Sequence, residues 1–202
     1  MIAIIDYGVG NLYNLKNALD FQGIDNRIVT EPAEIEACSH LILPGVGAFG
    51  PAMDHLRAAG MEELVRERVA AGTPFLGVCV GMELMFEVSE EDGLHEGLGL
   101  LPGRIVRFAH NLKIPQIGWN QVALQGADPL LEGIPDQSYF YFVHSYHARL
   151  AEQTDALGLT DYGGEFPAIV HRDNLWGVQF HPEKSQNAGL RLLKNFAAIP
   201  PE

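Results

Sequence analysis

A cysteine at the junction of an apolar strand and a helix constrains this chain more than any other feature of the sequence. Phe75-Leu76-Gly77-Val78-Cys79-Val80-Gly81-Met82 places that cysteine between glycines two positions away on either side. The order is the cysteine version of the Gly-x-Ser-x-Gly nucleophile elbow, a strained turn at the edge of an α/β sheet. The flanking glycines let the neighbouring strand and helix approach closely. We therefore expect Cys79 to be a nucleophile.

The pattern of apolar runs predicts the rest of the fold. In the first half, short apolar runs alternate with helical patterns, which is typical of a parallel sheet with crossover helices. In the second half, strand-like runs follow one another with turns between them. We expect one α/β domain over residues 1–202, with an added antiparallel portion. The predicted strands are 2–6, 27–30, 41–43, 74–78, 104–108, 121–124, 139–144, 168–171 and 176–180.

Helical spacing predicts four helical segments. One begins at Leu12 and ends before Gly23, one covers 53–71 with a break at Gly60, and one covers 82–87. The last is a C-terminal helix with an apolar stripe of Leu190, Leu193, Phe196 and Ala197.

Composition excludes several functional classes. Thirteen basic residues against 26 acidic ones give a formal net charge of −13, which repels phosphate backbones, so we expect no nucleic-acid partner. Apolar runs are far shorter than the ~20 residues of a membrane-spanning helix, and the N-terminus lacks a basic leader. The two cysteines argue against a disulfide scaffold. We expect a cytoplasmic protein with no membrane partner, and interpret the acidic segment 87–92 as a solvated helix end or loop.

A histidine and a glutamate near the C-terminus can act as the base for the cysteine and as the group that orients this base. Gly177-Val178-Gln179-Phe180-His181-Pro182-Glu183 delivers His181 to the carboxyl end of an apolar strand, the edge at which α/β sheets place ligands. In extended backbone, residues i and i+2 project to one side, so His181 and Glu183 can face the same site. A nucleophilic cysteine needs a base that a third group orients. We therefore predict Cys79, His181 and Glu183 as a catalytic triad.

The turn at Cys79 also predicts how its thiol is activated. A cysteine at a helix N-terminus has a lowered pKa, which favours the reactive thiolate. The backbone N–H of Val80 would point at negative charge developing on a substrate oxygen and form half of an oxyanion hole. Cys38, in Ala37-Cys38-Ser39-His40, has no comparable setting and is interpreted as a small buried residue.

Two glycine-rich loops share features with dinucleotide-binding loops. Gly45-Val46-Gly47-Ala48-Phe49-Gly50 matches the dinucleotide-binding pattern, but Pro44 interrupts the junction of strand and loop, and no acidic residue ends the next strand. We reject that interpretation and expect N–H groups of this loop to complete the oxyanion hole. Gly8-Val9-Gly10-Asn11 lacks the third glycine and is predicted to be a surface turn capped by Asn11.

Two nearby histidines do not predict a metal site. His144 and His147 are three residues apart, so on one strand they would face opposite sides, and no carboxylate or thiol is spaced to join them. We predict a structural or surface role for both, with no metal and no cofactor.

The motifs together resemble a known enzyme class. The segments around Cys79 and His181 are similar to the two signature motifs of class I, triad-type glutamine amidotransferases. Further segments resemble the glutaminase subunit of imidazole glycerol phosphate synthase, in order and over essentially the whole chain: Asp6-Tyr7-Gly8-Val9-Gly10-Asn11-Leu12, Pro44-Gly45-Val46-Gly47-Ala48-Phe49-Gly50, Gly118-Trp119-Asn120, Tyr141-Phe142-Val143-His144-Ser145-Tyr146 and Pro182-Glu183-Lys184-Ser185.

That resemblance implies a fold and an activity. The fold would be flavodoxin-like, a mostly parallel sheet flanked by helices with an antiparallel portion in the C-terminal half. The chain would hydrolyse glutamine to glutamate and ammonia through a cysteinyl thioester. The ammonia would pass to a (β/α)8-barrel cyclase partner in a heterodimer of histidine biosynthesis. Because the resemblance to the glutaminase covers essentially all 202 residues, we expect the ammonia-accepting domain to belong to the partner.

The resemblance also implies roles for individual residues. The loop part of the oxyanion hole would come from Val46 or Gly47, and Ser145 and Tyr146 would hold the α-carboxylate of glutamine. The substrate site as a whole would comprise Val46, Gly47, Val80, Glu83, Ser145 and Tyr146. The partner would contact Asn11, Asn14, Trp119 and Lys184.

The sequence departs from the family pattern at two places. The family usually has glutamine where this chain has Glu83, so a carboxylate would pair with the substrate ammonium, alter affinity or face elsewhere. Gln116-Ile117 stands where His-Met often precedes Gly-Trp-Asn in a loop of the partner interface. The alternatives are the glutaminase component of anthranilate or aminodeoxychorismate synthase, and a non-catalytic regulatory module of the same fold.

Overall fold

The computed structural model describes residues 1–201. Its first half alternates strands and helices: β1 (Ile2–Ile5), α1 (Leu12–Phe21), β2 (Asn26–Val29), α2 (Pro32–Ile35), β3 (His40–Gly45), α3 (Phe49–Ala58), α4 (Met61–Ala70), β4 (Phe75–Cys79) and α5 (Val80–Glu83). Its second half is mainly strands: β5 (Phe86–Ser89), β6 (His95–Glu96), β7 (Leu101–Arg107), β8 (Gln116–Leu124), β9 (Ser138–His144), β10 (Tyr146–Leu150), β11 (Ala156–Asp161), β12 (Glu165–Arg172), β13 (Leu175–Val178) and the C-terminal helix α6 (Gln186–Ala198).

Local sequence accounts for the first elements. All four residues of β1 are apolar and buried, as expected of a central parallel strand. In α1, Leu12, Leu15 and Leu19 are buried on one face at helical spacing. Gly60 adopts the left-handed conformation, with φ 69°, and separates α3 from α4 where a break was predicted.

A large mixed sheet organises the molecule, in the strand order β2-β1-β3-β4-β13-β12-β11-β8-β9. From β2 to β13 the neighbouring strands are parallel, and from β13 to β9 they are antiparallel. The predicted antiparallel portion is therefore present, and it continues the parallel sheet. A second sheet of order β10-β7-β5-β6, which the sequence did not predict, packs beside the first.

The insertion of β13 beside β4 positions the predicted triad. The two strands are parallel, with Gly177 opposite Gly77 and Val178 opposite Val78. Both strands therefore end at the same edge of the sheet, where Cys79 is the last residue of β4 and His181 lies shortly after the end of β13. Strands that are about 100 residues apart in the chain are joined here by ladder hydrogen bonds, which no local pattern specifies.

The antiparallel half of the sheet returns to the same edge. Although β9 is several strands away from β13 in the sheet order, Phe140 of β9 stacks on Phe180 with ring centroids 4.0 Å apart. The backbone N–H of His181 donates to the carbonyl oxygen of Tyr141 at 2.9 Å. Strong twisting of a large sheet allows such a return. The end of β9 thereby becomes a wall of the site.

Three local predictions were wrong. The helix predicted over 82–87 ends at Glu83, and Phe86 begins strand β5, because Phe86 is fully buried in the second sheet. Pro44 does not interrupt β3: it pairs with Val78 of β4, while pairing with β1 ends at Ile42, so its missing N–H removes no ladder bond on that side.

The third concerns the apolar face of α6. Leu193 and Phe196 are buried as predicted, but Leu190 and Ala197 are only partly buried, and Gly189 and Leu192 take their place. A Cβ on Gly189 would lie 1.9 Å from the carbonyl oxygen of Pro182, so this glycine lets α6 lie against the turn that follows His181. Within residues 1–201, every helix is too short or too polar to cross a bilayer.

The close approach at Gly81 generates a stability prediction. A Cβ on Gly81 would lie 1.8 Å from the carbonyl oxygen of Leu43, where neither backbone can yield. Gly81→Ala should therefore lower the free energy of unfolding by about 3 kcal/mol or more, measured by urea denaturation. Gly126→Ala is the matched control, because its Cβ would meet nothing within 4 Å, and it should change stability by less than about 0.5 kcal/mol. Equal, small effects would contradict the predicted contact.

Candidate active site

Cys79 occupies a sharp turn between β4 and α5. Its backbone has φ 55° and ψ −116°, a region that residues with a side chain rarely adopt. A Cβ on Gly77 would lie 2.7 Å from the carbonyl oxygen of Gly81, so both glycines are needed for the strand and helix to meet. The predicted strained elbow is confirmed.

The electrostatic setting of the thiol differs from the expectation. Burial raises the pKa of the Cys79 thiol well above its ordinary value, and Glu83 and Glu183 raise it further. The Val80 N–H and the Lys184 ammonium act in the opposite direction without overcoming burial. The expected lowering of this pKa by a helix N-terminus is therefore wrong. The helix α5 is a single turn with a small dipole, whereas the thiol has lost nearly all its water.

His181 and Glu183 are held together as predicted. Nδ1 of His181 lies 2.9 Å from Oε1 of Glu183, and both side chains are 3% exposed. Nε2 of His181 is buried without a protein partner among the described residues. Glu183 thus occupies one ring nitrogen and leaves the other free for proton transfer.

Ser185 fixes the segment that carries this pair. Its hydroxyl donates to the carbonyl oxygen of His181 at 2.6 Å and accepts the backbone N–H of Tyr141 at 3.0 Å. Because Ser185 is 1% exposed, water does not compete for these bonds. Sequence reasoning assigned Ser185 only to a family motif and did not find this role.

A cavity of about 260 Å³ brings together most of the predicted site residues. Cys79, His181 and every residue predicted for the substrate site line it, whereas Glu183 lies behind His181. The lining residues are Val46, Gly47, Cys79, Val80, Glu83, Glu91, Pro115, Val143, His144, Ser145, Tyr146 and His181.

The loop that contains Val46 and Gly47 lies over the cysteine. Gly47 has φ 89°, which favours glycine. The hydroxyl of Tyr7 donates to the carbonyl oxygen of Pro44 at 2.8 Å and anchors the start of the loop. Tyr7 is buried beside Cys79 and Glu83, and its place in a family motif was the only sign of this anchor in the sequence.

Glu91 is a site residue that sequence reasoning missed. It belongs to the acidic segment 87–92 that was interpreted as solvated, but it is half-buried and lines the cavity. Its Oε2 accepts the backbone N–H of Phe49 at 2.6 Å, at the N-terminus of α3. Burial raises the pKa of Glu91, and Asp92 adds to the effect. The interpretation holds for Glu87, Glu90 and Asp92, which are exposed, and fails for Glu91, because strand β5 leads this residue to the cavity.

Glu83 is the second carboxyl group of the cavity. It is 3% exposed, and its Oε1 accepts a 2.8 Å hydrogen bond from Nε2 of Gln179. Burial raises the pKa of Glu83 to about 8, against the lowering effect of the Gln179 hydrogen bond, and Glu91 raises it further. Gln179 is fully buried, and its Oε1 has no partner among the described residues.

His144 supports the segment that follows it. Its Nδ1 lies 2.7 Å from the carbonyl oxygen of Tyr146, and its Nε2 lies 2.9 Å from the side-chain amide of Gln116. Burial lowers the pKa of His144 to about 4, so the ring is neutral. Since a carbonyl only accepts, Nδ1 carries the proton, and Gln116 must turn its NH₂ toward Nε2. Gln116, expected in an interface loop, is therefore a buried residue of β8 that fixes the Ser145 turn.

The expectation that His144 and His147 face opposite sides of one strand is wrong. Ser145 separates β9 from β10, which belong to different sheets, so both rings pack on Phe108 at 5.1 and 4.9 Å. Across residues 1–201, no three His, Cys, Asp or Glu side chains gather as a metal site.

The residues expected at a partner interface lie on β8, on α1 and in the turns before α1 and after β13. Trp119 is 46% exposed and packs edge-on against Tyr141, with ring centroids 5.9 Å apart. The ammonium of Lys184 lies 5.9 Å from the centre of the same Tyr141 ring. Asn14 is exposed on α1. Asn11 precedes α1 but makes no side-chain capping bond, so its predicted capping role is wrong.

Comparison with known proteins decides the family. The family model described as glutamine amidotransferase class-I matches residues 3–199. This chain belongs to the class I glutamine amidotransferases. Among relatives of this amidotransferase, proteins named imidazole glycerol phosphate synthase subunit HisH are 53% identical in Desulfitobacterium hafniense (97% of this chain, 93% of the relative) and 51% identical in Herpetosiphon aurantiacus (98% and 94%). The one from Sulfurimonas denitrificans is 48% identical over 97% of each chain.

Solved structures show the same fold. A structure titled as a glutamine amidotransferase superposes with a TM-score of 0.78 at 23% identity, over 98% of this chain and all of that chain. PurLQS from Thermotoga maritima superposes with a TM-score of 0.77 at 16% identity, over 96% of each chain. The predicted flavodoxin-like fold of the class is confirmed.

The environment of His144 predicts its behaviour on titration. Because burial lowers its pKa to about 4, His144 should stay neutral, with the proton on Nδ1, from about pH 5.5 to 8 in two-dimensional ¹H–¹⁵N NMR of the ring. His171 is the internal control: burial opposes protonation of its ring, but Asp128, 2.8 Å away, raises its pKa above the usual value, so its ring should stay charged to higher pH than an ordinary histidine. A His144 signal that titrates with His171 would contradict the buried, hydrogen-bonded ring.

Proposed function

We propose that this chain is the glutaminase subunit of an imidazole glycerol phosphate synthase. It hydrolyses glutamine to glutamate and ammonia and delivers the ammonia to a (β/α)8-barrel cyclase partner in histidine biosynthesis. The observation that carries this proposal is identity of 46–53% over nearly the whole chain to proteins named as that subunit. Those names favour this subunit over the glutaminases of anthranilate and aminodeoxychorismate synthase, and the intact set of Cys79, His181 and Glu183 disfavours a non-catalytic module.

In the proposed reaction, Cys79 attacks the carboxamide carbon of glutamine. Its raised pKa means that the thiol is protonated before attack, so the proton must pass to a base as the C–S bond forms. The free Nε2 of His181 is suited to receive it. His181 then protonates the departing ammonia, and afterwards deprotonates the water that hydrolyses the glutamyl thioester.

Two further parts of the cavity support a glutamine substrate. The proposed oxyanion hole comprises the N–H groups of Val80 and of the Val46–Gly47 loop, on either side of the thiol. Glu91 provides negative charge for the α-ammonium, and Ser145 and Tyr146 lie where polar backbone and side-chain groups can receive the α-carboxylate.

A second, small cavity supports the proposal that the partner binds on the side of the site where Asn11 lies. Its volume is about 10 Å³, enough for one water-sized molecule, and it shares Val46 and His181 with the main cavity. It extends past Glu183 to Asn11. We propose that ammonia leaves in this direction and that Asn11, Asn14, Trp119 and Lys184 contact the cyclase subunit.

Replacement of the nucleophile tests the proposed function. In the complex with a cyclase subunit, Cys79→Ala should abolish glutamine-dependent synthesis of imidazole glycerol phosphate, by about 10⁴-fold or more, because the thioester cannot form. Synthesis from added ammonium salt should persist, since the cyclase chemistry belongs to the partner. Coupled product formation with either nitrogen source measures both.

Cys38→Ala is the matched control for this experiment. Cys38 is also buried, but its thiol faces the carbonyl oxygen of Glu34 away from the cavity, so both activities should be retained. A Cys79→Ala complex that still used glutamine, or a wild-type complex that made no product from either nitrogen source, would reject the proposed function.

A pair of aromatic substitutions tests the proposed interface. Trp119→Ala should weaken binding of the cyclase subunit by about 2 kcal/mol, because exposed tryptophans are frequent interface anchors, and isothermal titration calorimetry measures this. Phe21→Ala is the control: Phe21 is 81% exposed but lies at the far end of α1 from Asn11, and binding should be unchanged. Equal losses in the two variants would contradict this placement of the partner.

A further inference from the structure

Glu83 combines burial with an incomplete set of hydrogen bonds. The side chain is 3% exposed and lines the cavity beside Cys79. Among the described residues, no lysine, arginine or histidine forms an ion pair with it, and neither lysine nor arginine lines the cavity. A buried carboxylate without a cation is costly, and such a group takes up a proton instead.

The partner of Glu83 points to the same protonation state. Gln179 donates its amide N–H to Oε1 of Glu83, while its own Oε1 is buried without a donor. An ionised Glu83 only accepts hydrogen bonds and leaves that carbonyl unsatisfied. A protonated Glu83 has a hydroxyl to donate, so acid and amide can satisfy each other.

From this geometry we infer that Glu83 works as an uncharged carboxylic acid, a positioning residue that keeps negative charge away from the Cys79 thiol during glutamine hydrolysis. This inference rests on the proposed function only for its kinetic consequence. The titratable groups that share the cavity are Cys79, Glu91, His144, Tyr146 and His181, and Tyr7 is also close enough to be affected. Among these, Glu91 is the carboxylate left to face a substrate ammonium.

The sign of the pH dependence follows from the charges. Below about pH 8 Glu83 is neutral, and above it the carboxylate forms and raises the pKa of Cys79 further. Wild-type activity should therefore decline at alkaline pH, where a cysteine nucleophile ordinarily gains reactivity. Glu83→Gln places a neutral group of the same shape in the site and should remove that decline.

The kinetic test compares wild type and Glu83→Gln in the complex with the cyclase subunit. The ratio of glutamine kcat/KM, variant over wild type, should rise by about three- to tenfold between pH 6.5 and pH 9, since one pK unit of coupling makes a tenfold difference in thiolate. Alkylation of Cys79 by iodoacetamide should show the same ratios. Glu165→Gln, which removes an exposed carboxylate, should leave both profiles unchanged.

Infrared spectroscopy tests the protonation state without turnover. A difference spectrum of wild type minus Glu83→Gln at neutral pH should contain the carbonyl band of a protonated carboxyl group, and that band should disappear as the pH rises above about 8. Absence of the band, or a large rise in KM for Glu83→Gln at neutral pH, would overturn the inference and identify Glu83 as a carboxylate for the ammonium. Because the band requires no glutaminase activity, its failure is distinct from failure of the proposed function.

Discussion

The parallel pairing of β4 with β13 is the constraint on which the site depends. With Val78 opposite Val178, the chain leaves the two strands at the same edge of the sheet, so the cysteine and the histidine emerge side by side. A register shift of one residue would reverse which face each side chain occupies. The glycines at 77 and 177 sit opposite each other where Met82 and Met85 pack closely, and side chains at those positions would separate the strands from α5.

The antiparallel half of the sheet forms the remaining wall of the cavity that begins at the ends of β4 and β13. Its last strand, β9, returns to the segment after β13: the backbone N–H of His181 donates to the carbonyl oxygen of Tyr141, and the backbone N–H of Tyr141 donates to the Ser185 hydroxyl. The turn that follows β9 then closes the cavity opposite Cys79. His144 holds this turn by bonding the carbonyl oxygen of Tyr146 with a ring that burial keeps neutral. The substrate pocket is thus made by two halves that are distant in the sequence.

Charge in this pocket is arranged around a thiol that is difficult to ionise. Burial and the Glu183 carboxylate oppose a thiolate at Cys79, and Glu83 adds to this effect only when it is ionised, so the proposed reaction depends on proton transfer to His181 when glutamine is in place. Such an arrangement disfavours adventitious oxidation and alkylation, which require thiolate. It also makes the protonation state of Glu83 important, because an ionised Glu83 raises the pKa of the Cys79 thiol further.

The sequence by itself determined the local features of the structure and the family to which the motifs belong. Those features are the elbow at Cys79, the strand that leads to His181 and Glu183, and the break at Gly60. These could be predicted because each depends on residues within one or two turns or strands of the chain. Only the tertiary structure decided the raised pKa of the thiol, the inclusion of Glu91, the strand at Phe86 and the bond between Gln116 and His144. Each of these depends on burial by segments far away in the chain. Burial determines how much free energy it costs to ionise a group in the site and which hydrogen-bond partners its polar atoms can reach.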